Sequence, residues 1–412
     1  MTQRQFLFLQ GPISPFFSEI ARGLAARGHG IHGIQFNFGD RLFWRHPGAV
    51  RYRGSLADWP AFIRDFYMTR GITDIVLLGE QREYHRKAIE LAQQRGIRVT
   101  VTDFGYLRPD WIVLEKDGMS GNSHFPRTPE AIRALAAQCP RADLTPIYRD
   151  SFWTMALWDM AYHLGNYFLG WLFPRFHNHK LENPVLVYLG TGLRLLFAQR
   201  NTRRAVASLQ GLMDGGAPYF VYPLQMANDF QLRAYSDFGD QGEAIVQVIR
   251  SFADHAPTDA HLLAKVHPWD PGLVNWRRQV DTAAREAGVA DRVHYVDGGS
   301  LDDMSRHARG MVTINSTSGL KALTLGCPVI TLGQAIFDVP GLTFQDGLDR
   351  FWNEAAPPEA ALLDDYLAAM TGTLLIRGVF YNRPGLDAGV AEAVRRLDEG
   401  LINALPPERR LP

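Results

Sequence analysis

Three short polar stretches of the 412-residue sequence have residue types and spacing that suit chemistry. Asn315-Ser316-Thr317-Ser318-Gly319 follows an apolar run at 311–314 and opens a helical pattern. A helix N-terminus offers unpaired N–H groups and a partial positive charge, which suits a phosphate. Ordinary capping needs one hydroxyl. Three hydroxyls and an amide exceed that need, and Gly319 is expected to let a ligand approach the backbone closely. Lys265-Val266-His267-Pro268 ends a second run, 261–266, where proline fixes the chain as the imidazole leaves the strand. His267 can donate to a phosphate or ribose there, and a structural histidine is the competing reading. Asp103-Phe104-Gly105 closes a third run, 97–102. Asp103 suits a nucleophile or general base whose pKa burial would tune, or else a turn residue before glycine.

Weaker candidates sit at comparable positions. Glu115 follows the run 111–114 and is either a second carboxylate or a solvated loop acid. Gln10 and Gly11 occupy the first strand–helix turn, and Arg108 shares the loop after Asp103. Gln225 and Asp229 follow the first strand of a later series. Gln10, Gly11, Arg108, Gln225 and Asp229 are expected to line a cleft. No HExxH, P-loop or GxGxxG string occurs, so zincin, P-loop and dinucleotide chemistry have no support. Cys139 and Cys327 form no CxxC pair, which argues against a disulfide framework and a cysteine metal site. No metal and no cofactor is expected.

The elements that must hold these residues follow from periodicity. A continuous apolar run at 6–9 reads as a parallel strand covered on both faces. Ser14 is expected to cap a helix with Pro15 at its first position, and Gly28 to end it. Strands at 31–36, 74–78 and 97–102 alternate with helices at 59–70 and 82–95, and a long helical region covers about 128–175. A second series has strands at 219–222, 261–266, 293–296, 311–314 and 329–332, with helices at 243–253, 277–288 and 319–326. Two successive βα series predict an α/β protein of two Rossmann-like domains with a cleft between them. The boundaries are drawn at 1–205, 206–345 and a helical tail from 346 to 412. In open parallel sheets ligands bind beyond the carboxyl ends of the strands, where the polar stretches fall.

Composition narrows the partners. Hydrophobic residues make up 46%, and 43 basic residues balance 43 acidic ones, so no global field attracts nucleic acid. The aromatic stretch 152–173 is as long as a membrane span, but Asp159, His163 and Asn166 interrupt it. It is expected to be a buried or interfacial helix. Residues 175–204, with Arg175, Lys180, Arg194, Arg200, Arg203 and Arg204 against Glu182, read as a basic connector.

Several blocks together resemble bacterial capsular-polysaccharide synthesis and export proteins: Phe8-Leu-Gln-Gly-Pro12, Asn37-Phe-Gly-Asp40, Gly105-Tyr-Leu-Arg-Pro109, Lys265-Val-His-Pro268, Ile314-Asn-Ser-Thr-Ser-Gly319 and the segment 332–344. They run in order through residues 5–352, and rhizobial surface-polysaccharide processing proteins look similar. The resemblance implies a GT-B-type glycosyltransferase that takes CMP-Kdo as donor and (lyso)phosphatidylglycerol as acceptor, with retention of β configuration. It places the protein in the cytoplasm, peripheral to the inner face of the membrane, alongside a second Kdo transferase and a capsule export complex. It also implies that His267, Pro268 and Asn315 to Gly319 hold the CMP. Related transferases carry two adjacent acids before the glycine, whereas this sequence reads Asp103-Phe104. The nucleophile is then Asp103 or Glu115, or the protein is a non-catalytic accessory of export and assembly.

Overall fold

The structure is a computed structural model and describes residues 3–177, 183–226, 232 and 234–405. The chain divides into two compact units, the first built from residues 1–126, 134–184 and 366 onward, the second from 127–133 and 185–365.

Unit 1 grows from an apolar strand, β1 (Gln5–Phe8), whose residues Phe6 to Phe8 are buried. The strands β2 (Gly30–Gln35), β3 (Ala49–Arg51), β4 (Asp74–Leu78) and β5 (Arg98–Phe104) join it in parallel. β6 (Trp111–Lys116) and β12 (Leu375–Arg377) add antiparallel edges, giving the order β12-β6-β5-β4-β1-β2-β3. The helix α1 (Phe16–Ala26) begins one turn residue later than its sequence suggests: Pro15 takes the N-cap, while Ser14 Oγ accepts from Phe16 N. Gly28 ends it with φ +88°, a conformation that favours glycine. α2 (Phe38–Phe43) carries a reciprocal capping box between Asn37 and Asp40. α3 (Trp59–Arg70) and α4 (Glu83–Gln93) complete the first series.

Two expectations for unit 1 need correction. The region 128–175 is not helical throughout. α5 (Pro129–Ala136) and α6 (Phe152–Leu169) are separated by an irregular stretch in which Asp110 accepts from Ile147 N and Arg377 bonds the Thr145 carbonyl. Pro140 and Pro146 remove the donors a helix would need there. Nor is the C-terminal region a tail. β12 pairs with β6, and α14 (Gly385–Glu399) packs on α1 so closely that a Cβ on Gly23 would lie 2.7 Å from Val394 Cγ2. Ile376, Phe380 and Leu397 share one core with Phe6, Phe16 and Ile20.

Unit 2 opens with the long helix α7 (Pro184–Asp214). Its sheet is wholly parallel, in the order β11-β10-β7-β8-β9: β7 (Tyr219–Pro223), β8 (His261–Lys265), β9 (Val293–Val296), β10 (Gly310–Thr313) and β11 (Val329–Thr331). The crossovers carry α8 (Gln241–His255), α9 (Trp276–Glu286), α10 (Leu301–Arg306) and α11 (Thr317–Thr324). α12 (Leu348–Glu354) packs on α8 through Trp352, and α13 (Ala360–Thr373) leads back to unit 1. The α/β class and the two Rossmann-like halves are as the sequence predicts.

Candidate functional site

Each sheet has a place where the strand order reverses. In unit 2, β7 is flanked by β8 on one side and β10 on the other, so connections diverge between β7 and β10. Adjacent strand ends at such a point leave a crevice at the carboxyl edge of the sheet. Gln225 and Asn315 stand there. Gln225 Nε2 donates to Asn315 Oδ1 at 2.9 Å, and Asn315 N donates back to Gln225 Oε1 at 3.3 Å. Behind them Gln241 Oε1 accepts from Gln225 N at 2.9 Å, and Gln241 Nε2 donates to Tyr222 OH at 2.6 Å. This buried amide chain fixes both strand ends.

Next to Asn315, Ser316 is the N-cap of α11, its Oγ accepting from Ser318 N at 3.3 Å. Ser318 Oγ donates to Ser316 Oγ at 2.9 Å. Two of the three hydroxyls thus serve the cap, and among the described residues Thr317 Oγ1 has no hydrogen-bond partner. Gly319, expected to let a ligand approach, also has a packing role. A Cβ there would fall 2.7 Å from the Phe337 ring and 3.0 Å from Thr313 Cγ2, so glycine is required by packing. The segment 332–344 therefore buttresses α11 from below, with Ala335, Ile336 and Phe337 buried.

His267 leaves the end of β8 on the same edge, half-buried, with Pro268 exposed beside it. Trp269 N donates to His267 Nδ1 at 3.1 Å, so the neutral ring carries its proton on Nε2. The turn that follows is pinned: Asp270 N donates to His267 O, and Trp276 Nε1 donates to Asp270 Oδ2 at 2.9 Å. From α7, Arg194 donates to the carbonyls of His267 and Asp270 and reaches Asp297 Oδ1 at 2.6 Å. Lys265 is 3% exposed, and burial pushes its pKa down while Asp297 pulls it up. The sequence reading named Lys265 and Arg194 without giving them a place in the site, and it did not single out Asp297. A charge that closes an apolar strand, as Lys265 does, and an acid just past a strand end, as Asp297 is, were the available signals. Asp229 lies outside the described residues, as do Lys180 and Glu182.

In unit 1 the reversal falls between β1 and β4. Gln10, beyond β1, is buried; its Nε2 donates to Asp40 Oδ1 at 3.2 Å and Tyr162 OH at 3.1 Å, and its Oε1 accepts from Arg82 Nη1 at 3.4 Å. Tyr162 OH in turn donates to Asp40 Oδ1 at 3.0 Å, and Gly39 N donates to Asn166 Oδ1 at 2.6 Å. Burial raises the Asp40 pKa against the pull of Phe36 N, Gln10, Tyr162 and Arg82. Gly11 is a packing glycine, since a Cβ would lie 2.5 Å from the Phe17 ring. Just past β4, Gly79 O bonds Nδ1 of His85 at 2.8 Å, and His85 is fully buried on α4. Burial, with help from Arg82, pushes its pKa down to about 3.

Asp103 closes this edge on β5. Its Oδ1 accepts from Phe104 N at 2.7 Å, and its Oδ2 lies 3.9 Å from where a Cβ on Gly79 would stand. Arg108 covers the Phe104 ring at 4.7 Å and feels the charges of Asp103 and Asp150. Asp150 is a further acid in this neighbourhood; burial raises its pKa although Tyr381 N and Asn382 N donate to it. Glu115 stands on the neighbouring strand, two residues along from the Val113 that pairs with Asp103. It is fully buried inside β6, opposite Val101, with Tyr106 OH donating to Oε1 at 2.6 Å and Ser123 Oγ donating to Oε2. Glu115 is thus not the solvated loop acid, because Trp111–Lys116 is a core strand. Among the described residues no cluster of three or more His, Cys, Asp or Glu is placed to hold a metal ion.

Comparison with known proteins places this arrangement in a family. The sequence profile described as "Capsule polysaccharide biosynthesis protein" matches residues 73–381. The "Capsule polysaccharide export protein KpsS" of Escherichia coli is 29% identical over 388 residues, covering 92% of this chain and 98% of that protein. The "Capsule polysaccharide modification protein LipB" of Neisseria meningitidis serogroup B is 33% identical over 386 residues, covering 92% and 91%. Among solved structures, Thermosulfurimonas dismutans KpsC, a beta Kdo 2,7 transferase, superposes with TM-score 0.44 at 15% identity, covering 95% of this chain and 99% of that one. Matched by the family profile from residue 73 to 381 and by full-length relatives at up to a third identity, the chain belongs to the capsule polysaccharide biosynthesis protein family.

Proposed function

We propose that this protein is a glycosyltransferase that moves Kdo from CMP-Kdo to (lyso)phosphatidylglycerol, making a lipid primer for capsule export. It works without metal or cofactor, at the inner face of the cytoplasmic membrane. One observation carries the reading. At the carboxyl edge of the unit 2 sheet, the Gln225–Asn315 bridge, the capped start of α11 and the His267 turn converge. That edge carries His267, the Thr317 hydroxyl and the N-terminal dipole of α11, the kinds of group a CMP phosphate requires. Pro268 and Asn315 set the geometry, and Ser316 and Ser318 organise the cap.

Catalysis is assigned to Asp103. Its carboxylate, beside Arg108, attacks the anomeric carbon of Kdo, with CMP leaving and the acceptor hydroxyl later displacing the carboxylate. Two displacements preserve the β configuration. A second reading, a non-catalytic accessory of export and assembly, is favoured by one observation: Phe104 occupies the place of a second acid and packs on Phe380 and Tyr381. Incubating the purified protein with CMP-Kdo and lysophosphatidylglycerol, and following the lipid by mass spectrometry, tests the two. A Kdo-lipid product supports the transferase. CMP binding without product supports the accessory.

A further inference from the structure

Two helices turn polar side chains inward while leaving large apolar ones exposed. On α6, Tyr162 and Asn166 face inward to Asp40 and Gly39, while Trp153 and Phe168 are 73% and 66% exposed. α7 does the same within unit 2. Its inner side is polar: Arg194 grips the Asp270 carbonyl and Asp297, and Asn201 Nδ2 donates to Asp297 at 3.0 Å. Its outer side carries Leu189, Leu193, Leu196 and Phe197, exposed by 60%, 59%, 78% and 52%. At 3.6 residues per turn these four share one sector of the helix, and that sector runs on into Arg200, Arg203 and Arg204, all exposed. No acid occurs between Pro184 and Met213.

A soluble helix turns its apolar stripe to the core, because burying a leucine stabilises by about 1.5–3 kcal/mol. α7 turns that stripe outward and fastens itself by charge, so the stripe is kept for a medium other than water. The arginines identify the medium. An apolar stretch that continues into a row of cations, with no acid interspersed, matches the depth profile of an anionic bilayer surface: leucines among the acyl chains, guanidinium groups among the phosphates. Among the described residues no helix is long and apolar enough to cross a membrane, which fits a helix lying in the interface plane. We infer that the outer face of α7 is a docking surface for anionic lipid bilayers. This deepens the peripheral location proposed above, and it gives docking a mechanical link to the site, since Arg194 joins α7 to the His267 turn.

The test is co-sedimentation of the full chain with vesicles of phosphatidylcholine alone, or phosphatidylcholine mixed with phosphatidylserine or with phosphatidylglycerol. Phosphatidylserine matters because it is anionic and is not the proposed acceptor headgroup. Docking through α7 predicts equal binding to both anionic mixtures, weak binding to phosphatidylcholine, and weakening by salt. Reversing three charges (Arg200→Glu, Arg203→Glu, Arg204→Glu) should lower the partition coefficient on the order of a hundredfold. Leu193→Asp with Leu196→Asp should abolish binding with thermal unfolding unchanged. Binding confined to phosphatidylglycerol would assign the contact to headgroup recognition and overturn the docking surface. Variants that sediment like the parent, or a parent that ignores both anionic mixtures, would overturn it too. Transfer to detergent-dispersed acceptor separates those failures from failure of the transferase reading.

Discussion

Gln225 and Asn315 hold each other twice, through Gln225 Nε2 to Asn315 Oδ1 and Asn315 N to Gln225 Oε1, and so tie the ends of β7 and β10 together. Ninety residues separate them in sequence. Their pairing sets the spacing between the α11 N-terminus and the strand on which the unit 2 fold begins. Gln225 is 5% exposed and Asn315 half-buried, so replacing Gln225 removes two hydrogen bonds between the strand ends. Gln225→Leu should cost about 1–3 kcal/mol of stability, read as a lower melting temperature, and should also weaken CMP binding. Unchanged stability would show that water replaces the amide.

The donor and acceptor roles are separable. His267→Ala should weaken CMP binding about tenfold, the worth of one hydrogen bond to a charged phosphate, in isothermal titration. Asp103→Asn should leave CMP affinity within error of the parent and remove product. Retained activity in Asp103→Asn would refute the carboxylate assignment and turn attention to Asp150.

Gly319 gives a test of packing against ligand approach. Gly319→Ala should destabilise by about 1–3 kcal/mol through its clash with Phe337. Phe337→Leu combined with it should recover part of that loss in a double-mutant cycle. If instead stability is untouched and only CMP binding falls, the glycine serves the ligand.

His85 makes stability depend on pH. Its pKa is depressed to about 3 in the fold and is about 6.5 in an unfolded chain, so below pH 6.5 the unfolded state binds the extra proton. The stabilising contribution is complete above pH 6.5 and fades as pH falls towards 3. Between pH 7 and pH 5 this group alone removes about 2 kcal/mol. Chemical denaturation at the two values measures it. His85→Asn, which keeps a donor for the Gly79 carbonyl, should flatten that dependence.

Much of this was legible in the sequence. The helix Trp59–Arg70 and the strands Asp74–Leu78 and Val293–Val296 fall where periodicity and glycine punctuation put them. Asp103, His267 and Ser316 all stand at or just past strand ends, because apolar runs that stop at a polar residue mark the carboxyl edge. What escaped is non-local. β12 spans three residues, too short to announce itself, and gains its identity by pairing with Val113 more than two hundred and fifty positions earlier. The burial of Glu115 depends on Tyr106 and Ser123, which no spacing rule connects to it. Gly319 and Gly11 look like ligand-facing glycines because the rings that require them, Phe337 and Phe17, are visible only once the chain has folded.

The return of the chain to unit 1 sets an order of events during synthesis. The sheet of unit 1 lacks its last strand, and α1 lacks the helix it packs on, until residues 375–399 have left the ribosome. Every strand of unit 2 has emerged by then. Unit 2, whose residues end at 365, is therefore complete first, while unit 1 waits with Phe16 and Ile20 uncovered, and a chain that stalls once unit 2 has emerged presents an open apolar face that chaperones would bind.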